Sequence, residues 1–235
     1  MIMYLERLRL VLPEVRGRIA RAQERAGRSD TDSVTLVAVT KGHPVEALYA
    51  AREAGLDVIG ESRVQEALAK SAAAGDLGLE WHLVGHLQRN KVRDALGLFS
   101  LIHSVDSLRL ARAIASAAEQ RDRGVDVLVQ VNASGEAAKF GVPAAEALSF
   151  VREVSALEHL RVLGLMTMAP FTEDELVVRR TFRATRELYE RCRDSVEKFE
   201  GRHISMGMTN DYEIAVEEGS SMVRLGTVLF GERGK

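Results

Sequence analysis

The chain has 235 residues, 46% hydrophobic and 28% charged, which is ample material for a buried core and fits one or two domains. A net charge of −2 gives no electrostatic case for a nucleic acid or a membrane surface as partner. The single cysteine, Cys192, excludes an internal disulfide and fits a cytoplasmic protein.

The opening stretch MIMYLERLRLVLPEVRGRIARAQERAGRS carries a charge every few residues. It reads as an amphipathic helix, neither a signal peptide nor a membrane span. Beyond it, short apolar runs alternate with helical patterns. Residues 33–40 (SVTLVAVT) form the first expected strand, followed by a helix over 44–55. A strand over 56–62 (LDVIGES) precedes a helix over 64–75, and strands follow at 80–86 (EWHLVGH) and 100–105 (SLIHSV). A helix over 107–124 leads to strands at 125–132 (VDVLVQVN) and 160–168 (LRVLGLMTM). The longest helix, 175–199, precedes strands at 203–207 (HISMG) and 222–230 (MVRLGTVLF). These are eight strands, each but the last expected to be followed by a helix. They are continuous apolar runs, as expected where both faces of a parallel sheet are covered. The pattern points to a TIM (β/α)8 barrel with an additional N-terminal helix, as one domain over residues 1–235; a doubly wound open sheet is the competing arrangement. The chain stops at GERGK, too soon for a full helix after the eighth strand, and the N-terminal helix is expected to supply that cover.

In a barrel, function gathers at the C-terminal ends of the strands. Those ends hold Lys41, Glu61 and Ser62, His82 and His86, Ser104, Asn132, Met166 to Met168, Ser205 to Met208 and Arg224 to Thr227. Lys41 follows a buried-looking run directly. A lysine there is either lifted to solvent or kept because, desolvated, it becomes neutral enough to attack an aldehyde. In SMGMTNDYE the chain leaves a strand, passes Gly207 and offers Thr209 or Asn210 as the N-cap of a helix, where backbone N–H groups favour phosphate. VRLGTVLFG places Gly226 and Thr227 in the last unit, where barrels often complete a phosphate cup. An amine on the first strand with a phosphate cup after the seventh and eighth suggests an aldehyde-bearing phosphate, and pyridoxal 5′-phosphate (PLP) is such a molecule. Bland alternatives stand beside this: a surface lysine, turn glycines, and a hydrogen-bonded core histidine at His82. Arg224 within an apolar strand is more telling, because a buried guanidinium needs a partner. His82 and His86 would share one strand face without a further acidic or cysteine ligand, so no metal site is expected.

The segments LVAVTKGHPVEAL, GESRVQEAL, WHLVGHLQRNK, VLVQVNASGEAAKFGV, LRVLGLMTM and SMGMTNDYEIAVEEGSSMVRLGTVLFG together resemble the PLP homeostasis protein family, single-domain relatives of the alanine racemase barrel. The resemblance implies that Lys41 carries PLP as a covalent aldimine. It implies that the phosphate lies among Ser205, Thr209, Gly226 and Thr227, with Arg224 facing the pyridine nitrogen. Ser62, His82 and Met166 complete the expected cofactor-binding set. Ser62 stands where the family usually has asparagine, His43 where lysine is frequent, and Tyr212 where methionine is common. His86 and Arg89 replace residues that are usually small or polar. The family is described as a cofactor carrier without an established reaction. The implied role is therefore storage or delivery of PLP, with cofactor-free PLP-dependent enzymes as recipients and a monomer or weak homodimer as the form.

The alternative is a PLP-dependent amino-acid racemase. Two-base racemization needs an acid or base on each face of the substrate carbon, and Tyr212 is the one tyrosine placed to complement Lys41. An arginine at the pyridine nitrogen disfavours its protonation and weakens the ring as an electron sink. An aldolase-type barrel using Lys41 on a sugar carbonyl is the third possibility, without a carboxylate–lysine relay to support it. Lys139, in the GEAAKFG loop, is a secondary candidate for surface loading.

Overall fold

The computed structural model describes residues 2–29, 33–136 and 140–232. The apolar runs form β1 (Thr35–Val39), β2 (Val58–Glu61), β3 (Glu80–Leu83), β4 (Leu101–Val105), β5 (Val125–Asn132), β7 (Leu160–Met166), β8 (Phe199–Ser205) and β9 (Met222–Leu225). A two-residue strand, β6 (Val142–Pro143), lies beside the end of β5. The order β4-β3-β2-β1-β9-β8-β7-β5 is closed by pairing of β4 with β5, and every pairing is parallel. The eight expected strands thus form a closed barrel.

The helices are α1 (Ile2–Arg25), α2 (Glu46–Glu53), α3 (Val64–Ala74), α4 (Val92–Ala95), α5 (Leu108–Glu119), α6 (Ala144–Ser155), α7 (Glu175–Ser195), α8 (Tyr212–Glu217) and α9 (Thr227–Phe230). One apolar layer joins their inner faces to outward strand residues such as Ala38, Ile59, Leu83 and Val127. A separate cluster of Leu101, Leu128, Leu163, Met166 and Met222, drawn from four strands, fills the inside of the ring. In α1, Leu5, Leu8, Leu12, Val15, Ile19 and Ala22 are buried, the three-and-four spacing of a helix packed along one side. This helix lies against α2, α8 and α9. Arg18 and Arg25 reach Glu213 and Glu217 of α8, and Arg7 donates to the carbonyl of Leu229 in α9. The N-terminal helix supplies the outer cover that the single-turn α9 cannot.

Three element boundaries differ from the sequence expectation. The last strand ends at Leu225, its final partner being Ala38, and residues 227–230 fold back as α9 with Leu229 and Phe230 donating to the Gly226 carbonyl. The long helix stops at Ser195, and β8 begins at Phe199, which pairs with Val162. Val196 and Phe199 continue the apolar spacing of α7, so periodicity alone could not show where the helix gives way to a strand. The third strand ends at Leu83, so His82 lies in the ring and His86 beyond it; the two do not share a strand face.

Gly164 leaves no room for a side chain between β7 and β8. Its φ is 157°, and a Cβ there would stand 1.8 Å from the carbonyl oxygen of His203. The register shift between Val162 and Gly164 marks the same spot.

Candidate functional site

At the C-terminal end of β1 the chain turns through Thr40, Lys41 and Gly42, whose φ is 74°. The two residues flanking Lys41 are tied to α3. Lys70 Nζ donates to the Thr40 carbonyl at 2.7 Å, and the Gly42 N–H donates to Glu66 Oε1 at 2.6 Å. Lys70 also pairs with Glu66 at 2.8 Å and with the fully buried Glu61 at 2.7 Å. Thr40 Oγ1 donates to the same Glu61 oxygen, while Glu61 Oε2 has no hydrogen-bond partner among the described residues. Burial raises the Glu61 pKa, against the opposing effect of Lys70 and Thr40. The backbone on either side of Lys41 is therefore clamped by a largely buried ion-pair network.

Two strands round the ring from β1, β8 leads into a turn at Gly207, where φ is 96° and the carbonyl accepts from the Arg224 N–H. A Cβ at Gly207 would lie 2.6 Å from Ala215 Cβ, so the turn needs glycine for space as well as conformation. Asp211 Oδ1 accepts from the Met208 N–H at 2.6 Å. The N-cap of α8 is Asp211, without a side-chain capping bond, and not Thr209 or Asn210 as the sequence suggested. Thr209 Oγ1 instead meets the Val228 N–H at 3.5 Å, a long contact that joins this loop to the one after β9.

Between these loops and Lys41 lies a cleft of about 260 Å³, near the small end of ligand sites. Lys41, Thr209, Asp211, Arg224, Gly226 and Thr227 contribute polar lining, and Val39, Val84, Met168, Pro170, Phe171 and Met208 contribute apolar walls. Two cations against one carboxylate favour an anion. Arg224 is buried, its Nη1 donating to Ser205 Oγ at 2.6 Å and its Nη2 to the Thr167 carbonyl at 2.9 Å. Burial pushes its pKa down to about 10, with Asp211 acting in the opposite sense, so it remains a cation at neutral pH.

Five of the nine expected residues thus line one cleft: Lys41, Thr209, Arg224, Gly226 and Thr227. Ser205 lies beneath it, between His103 and Arg224. His82 is in the barrel interior, bonded to Glu80 and His103. Met166 belongs to the interior apolar cluster. Ser62 packs its backbone against Gly85, where a Cβ would come 2.3 Å from the Ser62 carbonyl oxygen. Lys139 lies outside the described residues. Tyr212 is buried under α1, with Arg18 5.5 Å from its ring centre, and does not face the cleft. His86 stacks on Phe140 and stands 3.6 Å from Asp106. No group of three or more metal-ligating side chains occurs among the described residues. No described helix is long and apolar enough to cross a membrane.

Sequence reasoning missed Lys70, Glu66, His103 and the Val84 wall, whereas Met168 was among the strand-end residues and does line the cleft. Glu66 and Lys70 stand four apart on a helix, a spacing that signals an ion pair, but nothing in the linear sequence directs that pair at Glu61 or at the backbone beside Lys41.

Residues 12–234 match the family described as alanine racemase, N-terminal domain. A pyridoxal phosphate homeostasis protein of Aquifex aeolicus is 43% identical over 225 residues, covering 94% of this chain and 96% of the relative. The chain belongs to the pyridoxal phosphate homeostasis protein family. PipY of Synechococcus elongatus, solved with PLP bound, is similar to this family member with a TM-score of 0.80 and 34% identity, over 91% of this chain and all of PipY. Alanine racemase of Clostridium difficile matches with a TM-score of 0.77 at 17% identity, over 98% of this chain and 60% of the racemase, which speaks to the shared barrel alone.

Proposed function

We propose that this protein binds PLP for intracellular PLP homeostasis, holding it as a covalent aldimine at Lys41 for storage or delivery, and is not a turnover enzyme. The observation that carries this is the convergence of an amine, Lys41, a buried cation, Arg224, and two hydroxyls, Thr209 and Thr227, on one small cleft. The donor set fits the cofactor: the aldehyde needs the lysine, the phosphate needs hydroxyls and positive charge, and the pyridine nitrogen can accept from a guanidinium. When bound, PLP would supply an electrophilic carbonyl and an electron sink. Thr209, Gly226 and Thr227 would hold its phosphate, and Arg224 would face its ring nitrogen. The name of the Aquifex aeolicus relative and the PLP-bound state of PipY support the same reading. Cofactor-free PLP-dependent enzymes in the cytoplasm are the proposed recipients.

The racemase alternative needs a second base opposite Lys41. The hydroxyl of Tyr4 meets His43 Nδ1, and those of Tyr49 and Tyr189 meet the carbonyls of Ala73 and Gly201. Tyr212 faces α1. None of the four lines the cleft, which favours the carrier.

The deciding experiment is the absorption spectrum of PLP-loaded protein before and after borohydride, followed by peptide mapping. A visible band that borohydride removes, with the adduct on Lys41, is expected; an adduct only on another lysine overturns the assignment. Rapid multiple-turnover α-hydrogen exchange of alanine or serine in heavy water, with inversion, would make the protein an enzyme.

A further inference from the structure

The barrel interior holds a polar chain that crosses it from one mouth to the other. Arg224 Nη1 donates to Ser205 Oγ at 2.6 Å, Ser205 Oγ lies 3.0 Å from His103 Nδ1, His103 Nε2 lies 3.1 Å from His82 Nδ1, and His82 Nε2 lies 3.1 Å from Glu80 Oε1. Ser205, His103 and His82 are buried, whereas the Glu80 side chain is 52% exposed at the start of β3, at the mouth opposite the cleft. Both ends have a fixed sense. A guanidinium only donates and a carboxylate only accepts. If both rings are neutral, His82 must carry its proton on Nε2 to reach Glu80, so its Nδ1 accepts. His103 must then donate from Nε2 and accept at Nδ1, which leaves the Ser205 hydroxyl donating to His103 while its oxygen receives Arg224. One arrangement satisfies every partner.

We infer that Ser205, His103, His82 and Glu80 are positioning residues for Arg224, forming a one-directional hydrogen-bond relay that sets how the guanidinium is presented to the cleft. Neutrality of His103 follows from its complete burial, reinforced by the neighbouring His82, Arg224 and His203, all of which hold its pKa well below the ordinary imidazole value. The charged or titratable groups acting on the chain are Glu80 on β3, His203 on β8 and Arg224 on β9, with Arg202 and Asp126 acting on His203. Because Arg224 cannot accept a proton, the relay cannot deliver one into the cleft. It acts by polarisation: each donor in line strengthens the next, and the Glu80 carboxylate draws the Ser205 proton away from the oxygen that holds Arg224. The inference rests on the PLP reading only for its consequence at the cofactor; the relay itself is a property of the chain.

The test uses Glu80, which lies half-exposed at the far mouth and also accepts from the Ser100 hydroxyl, so its replacement removes no buried side chain and leaves the rest of the relay in place. In cofactor-free protein, nitrogen-15 NMR should show His82 and His103 as neutral Nε2–H tautomers at pH 7.5. The Arg224 guanidinium resonances should move in E80V, which loses the acceptor, and stay near wild type in E80Q, which loses the charge and keeps an acceptor. A His103 proton on Nδ1, a cationic His103, or equal shifts in E80V and E80Q would overturn the relay, the last because a field acting through space depends on charge alone. In PLP-loaded protein, E80V should lower the pH midpoint of the bound chromophore by about 0.3 unit or more, because without a terminal acceptor the Ser205 oxygen holds the guanidinium less strongly and leaves more of its charge to the cleft, with E80Q closer to wild type. An unchanged midpoint in E80V counts against the relay. If the protein takes up no PLP, the functional reading fails while the NMR result still decides the relay.

Discussion

Replacing Lys70 by methionine removes one side chain that makes three contacts: the Thr40 carbonyl, Glu61 and Glu66. Glu61 is wholly buried and would keep only the Thr40 hydroxyl on one oxygen, with nothing among the described residues on the other. Breaking a buried pair from one side costs about 3–5 kcal/mol, because the remaining charge stays desolvated. The half-buried flank of the network, Glu66, adds less to this. The loss should therefore fall near 3 kcal/mol, which for a chain of this size lowers the melting temperature by roughly 6–12 °C. Urea unfolding followed by far-UV circular dichroism at pH 7.5 measures it. The double variant K70M/E61L removes both charges and should recover most of the loss, leaving it within about 1 kcal/mol of wild type. If K70M alone costs under about 1 kcal/mol, or the double variant is no better than the single, the clamp beneath Lys41 does not hold the energy assigned to it.

Removing the hydroxyl of Thr209 or Thr227 by alanine should weaken PLP binding about ten- to a hundredfold, the equivalent of roughly 1.5–3 kcal/mol, with the fold intact; equilibrium titration checks it, and unchanged affinity in both variants would misplace the phosphate. Pyridoxal without its phosphate should bind far more weakly. Burial lowers the His103 pKa, so below about pH 6.5 the unfolded chain binds more protons than the native one, and stability should fall towards acid by up to about 1.4 kcal/mol per pH unit. Denaturation between pH 7.5 and 5 should show this slope, reduced in H103N. Gly207→Ala should cost about 1–3 kcal/mol, from the positive φ and the 2.6 Å approach to Ala215, and should disorder the loop carrying Thr209, visible as faster amide exchange at Asp211 and Tyr212.

The barrel was legible because its strands are buried on both faces, so runs such as VDVLVQVN stand out against helices with mixed faces. Lys41, Thr209, Arg224, Gly226 and Thr227 were legible because each sits at or just past a strand end. Ser62, His82, Met166 and Ser205 also stood near strand ends and entered the expected set through the family resemblance, yet His82, Met166 and Ser205 lie in the barrel interior. Strand position gives height along the barrel only loosely when strands are staggered and interrupted at Gly164. The relay was hidden for another reason. His103 reads as one polar residue in the apolar run SLIHSV, and nothing in a linear sequence says that Ser205, 102 positions on, will stand beside it.

The placement of α1 against α8 and α9, together with the pairing of β1 with β9, joins the earliest elements of the chain to the latest. During synthesis, β1 keeps one open edge until β9 has emerged, and α1, with α2 against part of its apolar stripe, waits for α8 and α9 to cover the rest, so neither can reach its final surroundings early. Contacts of such long sequence separation are entropically the slowest to form. The nascent chain therefore carries an open strand edge and part of an apolar helix face for nearly the whole of translation, and the step that hides them also completes the cleft, because Arg224, Gly226 and Thr227 arrive with the closing strand and the turn after it. Cofactor competence and protection from aggregation are thus acquired in one event.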